Sequence, residues 1–425
     1  MQKGDTLAAL KQAAEKENNA EQKLELLYKI ASENTAEDAK LGAEAAKIKE
    51  SALVAIIDIH RENKNTEEIK NLPGRFPLLW TAFSGPKTAK IFSYIVDSFS
   101  LIPEARPLQI DTCLCLLDLP VCKTRQFLRQ SLHKRLAGFY LENERYTEAL
   151  SLVSDLLKEL KKAEDKLSAV EIHLLESRAY RELQNTQKAS SALITAKAQA
   201  NTVYCPPLLQ TQLEIQSGLL SLDSGEPGTA LSYFTEALDL SAAGDPAGTQ
   251  SLKYILLCRI LSNNLNNLKG VLQGKSAKKH SAESPEFDAL FKIADAVVES
   301  SLKRFREILG THGAILAADK TVNKFVLGLY NTLFEKNILK VLQPYSRIEI
   351  KAAADRIGLS PDMVEKKIAQ LILDGTINGT IDKKTDAIVI KETKHPVDRS
   401  TETEILEQLG HMVASLHKRV GVSLE

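Results

Sequence analysis

Three stretches of similar sequence decide the fold: "GFYLENERYTEALSLVSDLLKEL" (138–160), "RAYRELQNTQKASSALITAKAQA" (178–200) and "GLLSLDSGEPGTALSYFTEALDL" (218–240). When they are aligned, two positions recur about every forty residues, namely Tyr140, Tyr180 and Leu220, and then Ala149, Ala189 and Ala230. Each stretch has apolar residues at helical spacing, a polar turn, and a second helical segment that opens with a small residue. The pattern predicts a repeated pair of helices.

The small residue has a structural reason. The two helices of a hairpin approach each other closely near the turn, and a large side chain there would push them apart. A single hairpin cannot bury its apolar face, so neighbouring hairpins must stack. The sequence therefore predicts a mostly α protein, in which a right-handed solenoid of hairpins similar to tetratricopeptide repeats covers residues 1–300.

The segment "VYCPP" (203–207) interrupts this pattern. Proline lacks an N–H and disfavours α geometry in the residue before it, so one helix should end near Tyr204. Pro207 can occupy the first turn of the next helix. Cys205 has no Cys or His nearby at ligand spacing, which favours a small buried residue over a reactive or metal-binding thiol. The segment is interpreted as a joint between repeats.

The remaining helical region is less regular. Residues 48–72 resemble a degenerate earlier hairpin, and helices continue over 76–130 with interruptions at four prolines. The polar segment 262–287 predicts a short helix and a mobile loop, and it is the candidate local boundary. A helical lead-in is expected over 301–346.

The sequence changes character at residue 347. It predicts a strand over 347–350 and a helix over 351–358. A turn follows, with Ser360 as N-cap and Pro361 at the first position of a second helix over 361–374. A hairpin of the segments 376–382 and 387–392 then encloses the wing "KKTD". This order is typical of a winged helix, and the domain is expected to extend to residue 395.

A winged helix raises the hypothesis of DNA binding through the 361–374 helix. The charges argue against it, because residues 347–392 contain eight Lys or Arg and eight Asp or Glu side chains. The whole chain is equally balanced, with 55 cations and 55 anions. Nucleic-acid affinity depends mostly on neutralising phosphates, which needs a positive excess. The composition therefore favours protein contact, and neither a nucleic acid nor a membrane is expected as a partner.

The last segment, 396–425, predicts an amphipathic helix. Its apolar stripe follows steps of four, three, four and four residues: Ile405, Leu409, Met412, Leu416 and Val420. Two interpretations remain open from the periodicity. The stripe packs back onto the winged helix of its own chain, or it joins a bundle with helices of other chains.

Catalytic and ligand-binding patterns are absent from the sequence. It has no phosphate loop, dinucleotide glycine pattern, HExxH or GxSxG. Cys113, Cys115 and Cys122 lie in an apolar helix, and His173 with Glu176 forms only one weak pair. We expect no catalytic, cofactor-binding or metal-binding residues and no cofactor. The odd cysteine count and the lack of a long apolar run predict a soluble, intracellular protein with reduced thiols.

Several longer stretches resemble a known family: 125–180, 194–207 ("ITAKAQANTVYCPP"), 251–260 ("SLKYILLCRI") and 329–350 ("LYNTLFEKNILKVLQPYSRIEI"). A helical solenoid followed by a winged helix is the layout of the PCI-domain family. Within it, these stretches resemble the PCI-domain subunits of the 26S proteasome lid. The resemblance covers roughly residues 120–395 and is weak over 1–115. The wing "DKKTD" departs from the family, in which a glycine-rich wing is expected.

The resemblance implies a non-catalytic scaffold of the lid, located in cytoplasm and nucleus. It would clamp lid, ATPase base and core particle together for degradation of ubiquitylated proteins. The implied partners are other PCI lid subunits, the lid deubiquitinase pair, a proteasomal ATPase and an α-ring subunit of the core. Ile377, Ile388 and Ile390 would contact neighbouring PCI domains, and the terminal helix would enter the lid bundle.

Three other functions remain as alternatives. The first is a PCI scaffold of the COP9 signalosome or of a translation initiation factor, against which the "VYCPP" and "SLKYILLCRI" matches argue. The second is a nucleic-acid-binding PCI protein of messenger-RNA export, against which the charge balance argues. The third is an enzyme with residues from distant segments, which no feature of the sequence supports.

Overall fold

The computed structural model describes the backbone of residues 20–32, 43–100, 106–242, 244–262, 264, 268, 270, 274, 285–357, 360–383, 386–390 and 400–422. The chain separates into two compact units, Met1–Ser251 and Leu252–Glu425. The first is a series of helical hairpins and the second contains the winged helix, so the predicted fold class is confirmed. Most of the predicted loop 262–287 lies outside the described residues. The predicted domain limits at 300/301 and 395/396 stay predictions.

The first unit contains helices only, within the described residues. In chain order they are α1 (Ala20–Ser32), α2 (Ala43–Glu62), α3 (Thr66–Arg75), α4 (Pro77–Ala82), α5 (Gly85–Ser100), α6 (Arg106–Asp118), α7 (Pro120–Thr124), α8 (Gln126–Glu142), α9 (Tyr146–Ala163), α10 (Lys166–Glu182), α11 (Thr186–Ala200), α12 (Pro207–Asp223) and α13 (Pro227–Leu240). The next helix, α14 (Pro246–Leu261), contains the division between the units.

The three predicted hairpins are α8–α9, α10–α11 and α12–α13. The small residues that open their second helices, Ala149, Ala189 and Ala230, are all buried. In the third hairpin the helices also approach closely, because a Cβ added at Gly218 would lie 2.7 Å from ring atoms of Phe234. The burial of the three alanines fits the expected reason for their small size.

The turns of the hairpins share one backbone geometry. Glu144, Gln184 and Gly225 hold the corresponding position with φ of 62°, 59° and 82°. In each turn the next N–H donates to a carbonyl five residues earlier, as from Asn185 to Tyr180 at 2.9 Å. This is the bond of a Schellman motif, which satisfies the last carbonyls of a helix. Lys64 and Ser300 repeat the geometry in the less regular parts of the chain.

A left-handed backbone is costly for a side chain with a Cβ and costs glycine little. We therefore expect Gln184→Gly to raise the free energy of unfolding by about 1 kcal/mol. Gly225→Gln, at the corresponding turn of the next hairpin, should lower it by a similar amount. Chemical denaturation of both variants measures the two effects. Equal signs for the two changes would contradict this explanation of the repeat.

The joint between the second and third hairpins differs partly from the prediction. Pro207 does begin α12, but α11 ends at Ala200 rather than near Tyr204. The last turn tightens before the prolines, since the Thr202 and Val203 N–H groups donate to carbonyls only three residues earlier, at 3.0 and 3.3 Å. Cys205 is half-buried and packs beside the apolar cluster of these hairpins. Burial raises the pKa of its thiol, which fits a structural role.

An aromatic centre stabilises the N-terminal helices. Trp80 is fully buried, and its ring meets that of Phe92 edge-on at 4.9 Å between centroids. Its indole N–H donates to the Pro73 carbonyl at 2.8 Å. A buried tryptophan contributes large apolar area and usually needs such an acceptor for its N–H. The less regular sequence of this region therefore still forms a packed core.

The second unit continues with α15 (Pro285–Val298), α16 (Leu302–Ala317), α17 (Lys320–Leu342), β1 (Arg347–Glu349), α18 (Ile350–Ile357), α19 (Pro361–Leu373), β2 (Gly379–Asp382), β3 (Ala387–Ile390) and α20 (Ser400–Val422). Lys253 joins its first helices through ion pairs with Glu286 and, at 3.4 Å, with Asp319.

The strands and helices of the winged helix begin and end within about three residues of their predicted bounds. Its three-stranded antiparallel sheet has the order β1–β3–β2, so β3 is central. Val364, Ile368 and Leu371 of α19 face inward and are buried, as the sequence predicts. Ser360 does occupy the N-cap position before Pro361, but its side chain makes no capping hydrogen bond.

Candidate interaction surface

Helix α20 presents its apolar stripe to solvent. Every residue from 405 to 417 is exposed, and Leu409 and Met412 keep 50% and 59% of their accessible surface. Ile405 and Leu416 are exposed in the same way. Val420 lies within the helix, but its side chain is outside the described residues. The four described members of the predicted stripe thus come together on one free surface.

Two further apolar residues widen this surface. Leu406 and Val413 are exposed at 67% and 64%, and on a helix they lie beside Ile405, Leu409 and Met412. The sequence analysis considered one narrow stripe and missed them, although their separation of seven residues was the available signal. The resulting face is broader than a two-stranded seam and matches the wider face of a bundle helix.

The exposure of α20 bears on the two interpretations that the periodicity left open. Packing of the stripe onto the winged helix of the same chain is not observed for residues 405–417, since all of them are exposed. A helix of 23 residues is about 34 Å long, and an isolated helix depends on packing of its apolar face for most of its stability. The exposed face therefore favours a partner outside the chain.

The sheet of the winged helix offers a second surface, at its edge strand β2. The burial of the three predicted contact residues corrects the details of that prediction. Ile377 and Ile388 are 6% and 0% exposed, so their side chains belong to the core of this domain. Ile388 and Ile390 also lie in the central strand, which pairs on both sides. Only Ile390, which is half-buried, keeps side-chain surface. Contact with another PCI domain stays a prediction.

The cations of the winged helix are partly engaged within the unit. Lys367 Nζ lies 2.9 Å from Glu335 Oε1, and Lys383 Nζ lies 3.9 Å from Glu365 Oε1. The Arg356 guanidinium lies over the Tyr345 ring at 5.0 Å from its centroid. Such contacts reduce the positive charge available for phosphates, so the geometry adds to the charge balance in favouring protein contact.

Cys113 and Cys122 are buried thiols, and His173 contacts a carboxylate of its own helix. Burial raises the pKa of Cys113 to about 12 and that of Cys122 to about 11. These thiols therefore stay protonated at neutral pH, whereas the thiolate is the nucleophile and metal ligand. His173 Nδ1 and Glu176 Oε2 are 2.9 Å apart, within one helix turn. Among the described residues, no group of three His, Cys, Asp or Glu side chains could hold a metal ion.

The helices of the part of the chain that the structure describes are all too short or too polar to cross a membrane.

Two protein-family models match the chain. The model of the 26S proteasome regulatory subunit RPN6 N-terminal domain matches residues 6–143. The model of the PCI domain matches residues 312–392, which include the whole winged helix. The first match includes residues 6–115, which are most of the region 1–115 in which the sequence alone shows only a weak resemblance.

Similar proteins occur in plants and fungi. The "26S proteasome non-ATPase regulatory subunit 11 homolog" of Arabidopsis thaliana is 36% identical over 405 residues, which cover 95% of each chain. The "probable 26S proteasome regulatory subunit rpn6" of Schizosaccharomyces pombe is 35% identical over 94% of each chain. The "26S proteasome regulatory subunit RPN6" of Saccharomyces cerevisiae is 31% identical over 80% of each chain.

Proposed function

This chain belongs to the family of the 26S proteasome regulatory subunit RPN6, and from that premise we propose that it is a non-catalytic scaffold subunit of the proteasome lid. The names of its relatives favour the proteasome over the COP9 signalosome or a translation initiation factor. The balanced charge of the winged helix supports protein contact rather than nucleic-acid binding.

One observation carries the proposal, namely the exposed apolar face of α20. Ile405, Leu409, Met412 and Leu416 would be buried in a bundle with the terminal helices of other PCI lid subunits. Fully burying one aliphatic side chain contributes about 1.5–3 kcal/mol. Four such residues, with Leu406 and Val413 beside them, would contribute much of the free energy that favours an assembly. The edge strand β2 would add a backbone contact with a neighbouring winged helix.

The finer role that we propose is a clamp. The solenoid would reach a proteasomal ATPase and an α-ring subunit of the core, while the second unit contacts other PCI subunits and the lid deubiquitinase pair. The match of residues 6–143 to the RPN6 N-terminal domain supports a retained function for this end. The chain would be located in the cytoplasm and nucleus, and there it would hold the base, the lid and the core together.

Affinity purification of the tagged chain from its own cells at low salt tests this function. Mass spectrometry identifies the co-purified proteins, and an ATP-dependent peptidase assay reports an intact particle. We expect core, ATPase and lid subunits together with the activity. If only lid subunits co-purify, the chain is a lid subunit but not a clamp between lid, base and core. Co-purification of signalosome subunits, translation initiation factors or RNA-export proteins instead would overturn the proposed function.

A further inference from the structure

The dipeptide Asn378-Gly379 joins the turn after α19 to the edge strand β2, and it is the only Asn-Gly pair in the sequence. Asn378 is exposed and lies outside helix and strand, whereas Gly379 is the first residue of β2. Glycine has no Cβ and adopts more backbone conformations than other residues. The main-chain nitrogen that follows Asn378 is therefore open to attack the side-chain amide of that asparagine.

The main-chain N–H of Gly379 points to the open edge of the sheet. Opposite residues in an antiparallel ladder alternate between pairs that exchange hydrogen bonds and pairs whose N–H and carbonyl groups point apart. Ile390 lies opposite Gly379, and its N–H donates on the β1 side, to the Ser346 carbonyl at 2.9 Å. The Gly379 N–H therefore points away from β3. In the described part of the chain no strand pairs with β2 on that side, so no ladder hydrogen bond holds this nitrogen.

The packing of the hairpin requires glycine at this position. A Cβ added at Gly379 would lie 2.9 Å from the main-chain carbonyl oxygen of Val389, a contact that only a movement of the backbone could relieve. Any other residue at 379 would therefore disturb the pairing of β2 with β3. The fold thus keeps the reactive glycine beside an exposed asparagine.

We propose that Asn378 is a site of spontaneous deamidation that alters the backbone at the start of β2. The Gly379 nitrogen gives its proton to water and attacks Cγ of Asn378. The bond from Cγ to Nδ2 breaks, and ammonia leaves after taking up a proton, so the product is a cyclic succinimide. A water molecule then opens the ring. Attack at Cγ yields aspartate, whereas attack at the main-chain carbonyl carbon yields isoaspartate, in which the chain continues through Cβ and Cγ and gains one carbon.

The residues on both sides of Asn378 are held in place, so they transmit this change to the domain. Ile377 is buried, and its N–H donates to the Leu371 carbonyl at 3.3 Å. On the other side, Thr380 pairs with the central strand β3. An additional backbone carbon between two anchored residues must displace one of them. The isoaspartate form should therefore move Ile377 from the core or separate the first residues of β2 from β3.

The modification also concerns assembly, and this consequence rests on the proposed contact of β2 with a neighbouring winged helix. A strand added at the edge of a sheet accepts hydrogen bonds from the outward N–H groups of that edge. It would engage the Gly379 N–H and so protect Asn378. We therefore expect deamidation to mark chains outside the particle more than chains within it.

Incubation of the purified full chain in neutral buffer at physiological temperature tests the site. Peptide mapping with electron-transfer fragmentation measures aspartate and isoaspartate at position 378. Asn201 is the internal control, because it is also exposed but is followed by Thr202, whose N–H donates to the Gln199 carbonyl at 3.0 Å. We expect deamidation at Asn378 to be at least about tenfold faster, since attack on Asn201 must first break that hydrogen bond. Equal rates at the two positions would overturn the proposed site.

Asn378→Gln is the matched variant, because its amide must close a larger ring and should stay intact. After incubation, trypsin should cut the unsubstituted chain after Lys383 faster than it cuts the variant, since β2 has separated from β3. Equal cleavage of the two chains despite isoaspartate at 378 would overturn the effect on β2. The same mapping on chain incubated within the particle tests the consequence for assembly. As much isoaspartate there as in the free chain would contradict the β2 contact, whereas the free chain decides whether Asn378 is the site.

Discussion

Leu409→Asp with Met412→Asp is expected to produce a folded chain that no longer enters the proteasome lid. Both residues are at least half exposed, so the free energy of unfolding of the isolated chain should change little. In a helix bundle each aliphatic side chain would contribute about 1.5 kcal/mol or more, and burying two carboxylates costs further free energy. We expect lid incorporation to fall at least about a hundredfold. Co-purification of lid subunits with the tagged variant measures it.

A matched control is available on the opposite side of α20. His411→Asp with Ala414→Asp adds two carboxylates at the same spacing, on residues that are also exposed but lie away from the apolar face. This variant should assemble like the unmodified chain. Unchanged lid incorporation of the Leu409/Met412 variant, or an equal loss of incorporation in both variants, would contradict the assignment of the apolar face as the lid contact.

The second large effect concerns the docking of adjacent hairpins. Arg181 of α10 donates through Nε to Asp223 Oδ2 of α12 at 2.7 Å, and the two side chains are only 9% and 6% exposed. Removing one partner of a buried ion pair leaves an uncompensated charge. We expect Arg181→Met to lower the free energy of unfolding by about 3 kcal/mol. Chemical denaturation of the full chain, followed by circular dichroism, measures the loss.

The same site provides its own control. Arg181→Met with Asp223→Leu removes both charges and should recover most of the lost stability, because apolar residues of similar volume often replace a buried ion pair without loss. Arg145→Met breaks a pair with Glu148 that is more than half exposed on both sides, and should change stability by less than about 0.5 kcal/mol. A double variant as unstable as Arg181→Met would show that packing of the arginine stem, rather than its charge, joins the hairpins.

The parts of the fold that depend on local chemistry could be predicted from the sequence. The small residues at 149, 189 and 230 identified the hairpins because close helix approach permits little else there. Pro207 and Pro361 identified helix starts, since proline suits the first turn. The winged helix followed from the order of its short elements. By contrast, the Ser300 turn resembles the turns of the repeat in geometry only, so no residue pattern pointed to it.

The features that depend on tertiary placement could not be predicted in this way. Leu409 and Met412 have the same spacing whether their stripe packs within the chain or against another, and only their exposure distinguishes the two. The family resemblance implied that Ile388 contacts neighbouring PCI domains, yet Ile388 is buried and lies in the central strand.

The most direct test of the central claim is photo-crosslinking from α20 in the assembled particle. A benzophenone amino acid is placed at Leu409 on the apolar face or, as the control, at Ala414 on the opposite face. The expected result is a crosslink from position 409 to the terminal helices of other lid subunits, and little or none from position 414. Crosslinks from position 409 only to residues 347–390 of the same chain would show that the helix packs on its own winged helix, and would contradict the scaffold account.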